Sequence, residues 1–296
     1  MSTAEATTVE SRALPNTAVF AFVKCLASEL SQGRVELPSV PDVVLRLQKT
    51  LSDEFVSNDT VVRVIGSEPM LAARLMTMAN SAALNASARR IADLRTAVAR
   101  VGFNIVRSVG VSFAVQQLRK AAEFRHLEAQ LDVLWNGSVQ IAALCHVIAR
   151  RFTSLNGDTA LLTGLMHNVG RIYILTRSTK FPTLTADPLT YQSIVRDWHV
   201  NVAKGLLENW NVADEIVDAV AGHEDLDREK RGPVSLTDVL SLATLMDRSR
   251  NGAELNVPSE HLLKGLRRMQ LQVRDCHSVL TESAEEISAL ESALGG

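Results

Sequence analysis

Aromatic side chains are scarce in this chain: eight Phe, three Trp and two Tyr make up 4% of 296 residues. A core built without them has to come from Leu, Val, Ile and Ala, and Ala and Leu favour helices. Cysteine is scarcer still. Cys25, Cys145 and Cys276 are odd in number and none belongs to a CxxC pair, which excludes a zinc ribbon and a disulfide framework. Charge of one sign is also missing. The balance of 31 basic and 33 acidic residues, net -2, argues against a polyanion-coating protein. Neither GxGxxG nor GxxxxGK[ST] occurs, so no phosphate-cradling loop is present. A nucleophile elbow is absent, and Ser138 and His146 lie too far apart on one helix for a nucleophile–base hydrogen bond. No run approaches the roughly 20 apolar residues of a membrane helix. No charged-then-apolar signal segment opens the chain. The expectation is a reduced, cytoplasmic protein that keeps away from membranes.

What is present reads almost throughout with helical spacing, with no fixed-period repeat and no strand alternation. Residues 1–16 read as a flexible lead-in. Helices are predicted over 17–30, over 42–51 after the rigid Leu37-Pro-Ser-Val-Pro41 connector, and over 59–65. Ser67 or Glu68 caps the next one, with Pro69 in its first turn. Leu71, Leu75, Met78 and Ala82 form its buried stripe, with Arg74, Thr77 and Ser81 on the opposite face. Helices over 93–101 and 104–118 hinge at Gly102. In the second half, 123–151 is predicted to bend around Asn136-Gly137, and 158–168 to stop at Gly170. Segments 171–176, 189–197, 200–210, 213–222 and 233–249 follow as short helices. The stretch 258–294 carries a heptad-like seam, from Leu262, Leu266, Met269, Val273, Cys276 and Leu280 to Ile287, Leu290 and Leu294. One long carboxy-terminal helix is predicted. Its seam suits a homodimer and packing on its own domain equally well.

Two blocks carry a family resemblance. Leu37-Pro-x-x-Pro41, Glu68-Pro-x-Leu-Ala-Ala-Arg-Leu75, Ala79-Asn-Ser81, Asp93-Leu-Arg-Thr-Ala-Val-Ala-Arg-Val-Gly102 and Val106-Arg-Ser108 form the first. Leu134-Trp135, Ser138, Leu165-Met-His-Asn-Val-Gly-Arg171 and Ile216-Val-Asp-Ala-Val-Ala-Gly-His223 form the second. In that order they resemble the HDOD domain family. The resemblance implies an all-α array of a bundle (17–122) and an HD-like half (123–252), followed by the helix over 258–294. It also implies a bacterial signal-transduction regulator related to HD phosphohydrolases.

The resemblance further implies where a hydrolytic metal would be held, and the residues there depart from the pattern. The first family His aligns with Gly137, and His146 lies nine residues on, about half a turn out of register. The His-Asp pair reads His167-Asn168, whose neutral amide is a much poorer ligand than a carboxylate. The closing Asp aligns near Thr244, one turn from Asp247. His199 and His223 match positions where related phosphodiesterases place further ligands, and Glu224 follows directly. The expectation is a degenerate site at Gly137, His167, Asn168 and Thr244, with no catalysis and no cofactor. The rival is a residual divalent metal on His167, His199, His223 and Glu224, with phosphohydrolase action on a nucleotide or cyclic dinucleotide. Asn168 is also a candidate cap for the end of its helix.

The segment from Ala86 to Lys120 holds seven basic residues against Asp93. Arg89, Arg90 and Arg107, with Asn80 and Ser81 nearby, are candidate contacts for a small anionic ligand or an acidic partner. A solvated helix face explains the arginines as well, and a structural cap explains Asn80. Other signalling proteins are the expected partners. Nucleic acid is not expected, since no reading motif or aromatic interleaving accompanies the arginines.

Overall fold

A computed structural model describes residues 13–81, 84–85, 89–228, 232–251, 254–255, 259–282 and 284–295. Most of the proposed lead-in therefore lies outside the described residues. The fold is all-α; beside the helices, a two-residue antiparallel pair joins β1 (Arg250–Asn251) to β2 (Glu254–Leu255). The first half comprises α1 (Ala13–Ser31), α2 (Asp42–Leu51), α3 (Asn58–Gly66), α4 (Pro69–Ala79) and α5 (Leu94–Lys120). A 3-10 turn over Ala122–Leu127 leads to α6 (Glu128–Phe152), α7 (Gly157–Met166) and α8 (Val169–Ser178). Then come α9 (Pro182–Thr185), α10 (Pro188–Asn209), α11 (Asp214–Gly222) and α12 (Leu236–Ser249). The last are α13 (Glu260–Arg268), α14 (Val273–Glu282) and α15 (Ala284–Gly295).

Local chemistry sets several helix starts. Ser57, Glu68 and Asp93 accept hydrogen bonds from the backbone N–H groups of Thr60, Met70 and Thr96, satisfying first-turn donors. Pro69 fills the first turn of α4. Gly102 divides α5 as expected: its φ of 75° is open to glycine and strained for other residues.

Four expectations are corrected. Helix α6 runs unbroken through Asn136-Gly137; a single interior glycine costs about 1 kcal/mol, which packing on both sides outweighs. Helix α10 likewise runs through Asp197–Val200, because Val202, Ala203, Leu206 and Leu207 continue the buried stripe that Ile194 and His199 begin. Gly170 does not stop a helix; it lies in the first turn of α8, where a Cβ would stand 2.0 Å from the backbone oxygen of His199. That glycine is required by the close approach of α10. Finally, the region after 258 is three helices rather than one. Gln270, with φ 57°, turns the chain between α13 and α14.

The seam of these last helices is spent inside the chain. Leu262, Leu266, Cys276, Leu280, Leu290 and Leu294 are all buried, and α15 lies along α6 and reaches α4 and α5. Ser112, itself bonded by Arg74, donates to the Leu294 carbonyl at 2.7 Å, fastening the chain end to the bundle. One hydrophobic cluster runs through both halves, with α6 in contact with α5, α7, α12 and α15. By length and composition, α5 and the stretch Ala122–Phe152 match a membrane span, contrary to the sequence reading. In each, 67% of the apolar window is buried within this fold, so the apolar surface serves packing.

Candidate functional site

The HD-like half brings three imidazoles and one carboxylate together. His167 caps α7 and His223 caps α11. Each turns Nδ1 onto the carbonyl three residues back, 2.7 Å from Gly164 and 2.8 Å from Val220. An N–H on Nδ1 satisfies those carbonyls and leaves Nε2 as a lone pair. The rings meet edge to face, with centroids 5.9 Å apart. Burial, with a smaller push from His223, holds His167 down to about 3; burial also holds His223 down to about 4. Both are neutral imidazoles at physiological pH.

His199 reaches in from α10 with Nδ1 2.8 Å from the Val195 carbonyl and Nε2 3.2 Å from Glu224 Oε2. Arg171 of α8 donates through Nη2 to Glu224 Oε1 at 2.9 Å, and the same nitrogen is 3.1 Å from His199 Nε2. Arg248 of α12 reaches Glu224 Oε1 at 3.2 Å. The hydrogen bond from His199, followed by the surrounding positive charge, holds the Glu224 carboxyl well below the usual carboxylate range.

His167, Arg171, Glu224 and Arg248 line a cleft of about 300 Å³ between α6, α8 and α12, while His199 and His223 are buried beside it. Gly137 lies on its wall, where an added Cβ would stand 3.9 Å from Asn168 Nδ2. Asn168 sits at the N-cap of α8, but its amide makes no cap hydrogen bond and donates instead to the Leu134 carbonyl of α6 at 3.4 Å. Thr244 donates to its own helix, at Leu240 and Ser241. Asp247 also lines the cleft, so the acid one turn from Thr244 does face the site.

The residues do not fit a hydrolytic metal centre. Gly137 and Asn168 offer no His and no carboxylate at the positions the family pattern assigns. Among the described residues no three His, Cys, Asp or Glu side chains converge as a metal group. The fixed cation of Arg171 contacts both His199 and Glu224, repelling a metal ion and engaging the carboxylate it would need. The suggested set of His167, His199, His223 and Glu224 is thus brought together in space, with Arg171 engaging His199 and Glu224. Sequence reasoning gave Arg171 no role; its place four residues after His167 was the available signal.

The candidates of the first half are not brought together as one site. Asn80 is a clasp: its amide donates to the Met76 and Ile91 carbonyls and accepts from the Ile91 N–H. The buried Ser81 hydroxyl has no hydrogen-bond partner among the described residues. Arg107 is engaged with the Leu51 carbonyl and with Asn104. Arg95 pairs with Asp59, and Arg119 with Asp132. Arg89 and Arg90 are exposed.

Fold and cleft together define an all-helical, HD-related module. The family model of the HDOD domain matches residues 37–226, and the chain belongs to that family. A curated relative from Treponema pallidum (strain Nichols), an uncharacterised protein, is 22% identical over 259 residues. That alignment covers 81% of this chain and 47% of the relative, so the chain spans about half of its length. Among solved structures, a Shewanella amazonensis SB2B protein provisionally named a metal-dependent phosphohydrolase superposes with a TM-score of 0.74 at 23% identity, covering 94% of this chain and 99% of that one. An HDOD domain protein of unknown function from Geobacter sulfurreducens gives 0.60 at 24% identity, covering 94% and 97%. At these identities the likeness is one of fold.

Proposed function

We propose that the chain is a non-catalytic signal-transduction module that acts by binding other signalling proteins and a small ligand in the HD-like cleft. One observation carries the reading: the Arg171 guanidinium is bonded to Glu224 and lies beside His199, where a metal would have to compete with it. Hydrolysis at a metal needs an open coordination position for water beside neutral imidazoles and carboxylates. Here the neutral imidazoles are present, while the carboxylate is already neutralised by two arginines. Membership of the HDOD family supports a regulatory role.

Elemental analysis of protein purified without chelator, with phosphodiesterase assays on nucleotides and cyclic dinucleotides in added Mn²⁺, tests it. The expected result is substoichiometric metal and no turnover. Stoichiometric metal, with turnover that His167→Ala abolishes, would establish the residual phosphohydrolase instead.

A further inference from the structure

An apolar groove of about 420 Å³ adjoins the cleft, walled by Val133 and Leu134 of α6, Leu175 of α8, and Tyr191 and Val195 of α10. Its volume lies within the range of small-molecule sites, roughly 300–1,000 Å³. Val133 is 73% exposed at its edge, and Leu189, two residues before Tyr191, is 81% exposed. Bulky apolar side chains this open to water, beside a concave apolar wall, mark a surface that gains by being covered. Groove and cleft share Val133, Leu134 and Arg171, so they adjoin, with Arg171 at their common boundary.

The guanidinium is only partly used. Arg171 bonds Glu224 through Nη2, the nitrogen that also faces His199; Nε and Nη1 make no hydrogen bond among the described residues. Their N–H groups remain for an oxygen acceptor. Arg171 and Arg248 share the cleft with Glu224 and Asp247, which gives it no excess of positive charge. A doubly charged phosphate would meet those carboxylates. A singly charged head reaching Arg171 from the groove side would meet less repulsion from them.

We infer that groove and cleft together bind a small amphipathic anion, with an unbranched acyl chain between α6, α8 and α10 and its carboxylate on Arg171. The inference rests on the reading of the cleft as a binding site rather than a hydrolytic one. The acyl chain gains by burial against Val133, Leu175 and Val195. The carboxylate fixes its direction through charge-assisted hydrogen bonds at Arg171, the charged residue of the groove lining.

Calorimetric titration of the full chain with sodium decanoate, kept below its micelle concentration, tests this. One saturable site is expected. Val133→Glu, at an exposed position on α6, places a like charge at the groove edge. It should weaken decanoate at least about tenfold, with an unchanged melting temperature. Acetate, which lacks the chain, and decanol, which lacks the charge, should each bind at least about tenfold more weakly than decanoate. Absence of a saturable site, or equal affinity in Val133→Glu and the parent, would overturn the inference. So would co-sedimentation with phosphatidylglycerol vesicles in the absence of decanoate binding, which would make the groove a membrane contact. Mn²⁺-dependent turnover alongside intact decanoate binding would remove only the non-catalytic reading. No turnover and no decanoate binding would remove only this inference.

Discussion

The first half and the HD-like half each place a polar side chain at the end of a helix and use it differently. Asn80, at the end of α4, spends both ends of its amide on backbone: it bonds the Met76 carbonyl and both backbone groups of Ile91. That network is closed, and its work is to hold the segment entering α5. Glu224, just past α11, is joined by side chains from α8, α10 and α12 instead, and one of them, Arg171, still has donors to offer. A closed network specifies structure; an open one beside a cavity can take a ligand. The family signature runs through both places, so only the state of the hydrogen bonds separates them.

The largest effect expected comes from the contact that makes the open network possible. Gly170→Ala would put a Cβ 2.0 Å from the His199 oxygen and 2.9 Å from the Ala203 nitrogen, both backbone atoms. A loss of more than about 4 kcal/mol is expected, read as a collapse of the thermal midpoint. A near-normal midpoint would mean that α8 and α10 can separate without harm.

Acid comes next. His167 and His223 have folded values near 3 and near 4, below the ordinary 6.5. The unfolded chain therefore binds more protons as pH falls. The stability these groups contribute is complete above 6.5 and is lost downward toward their folded values. Each accounts for about 1.4 kcal/mol per pH unit across that window. Denaturant melts between pH 7 and pH 5 should show the decline, and His167→Gln should make it shallower. Glu224, held low by His199, adds a loss of the same sign further down, below the ordinary carboxyl value of 4.5.

Asn80→Ala sharpens the contrast from the closed side. It leaves the Ile91 N–H and carbonyl without their partner, a cost of about 2–3 kcal/mol. It should leave decanoate affinity unchanged, because the clasp has no part in the cleft. A change in affinity would show that the two halves communicate. Arg248→Gln should have the smallest effect. Its side chain is 61% exposed, and an exposed ion pair contributes under about 1 kcal/mol. A larger loss in chemical denaturation would mean that Glu224 depends on both arginines.

Much of the fold was legible in the chain because its signals are local. The Glu68 cap, Pro69 in a first turn, the Gly102 break and the Leu71, Leu75 and Met78 stripe each act within a turn or two of backbone. The errors fell where a distant partner decides. Gly137 and Gly170 look alike as helix breakers. One is carried by the packing of α6, and the other exists to let α10 approach. The heptad seam after Leu262 likewise does not say what covers it, since α6 and the bundle use the same apolar spacing a second chain would.

The site divides in the same way. Sequence alone determined that Gly137 and Asn168, at the positions where the family resemblance implies metal ligands, carry neither an imidazole nor a carboxylate, because the ligand type is a property of the residue itself. It also marked His167, His199, His223 and Glu224 as a group. Only the tertiary structure decided what organises them. A guanidinium acts over a few ångströms, and nothing in the sequence says that α8, α10 and α12 bring Arg171, His199 and Arg248 within that reach of Glu224.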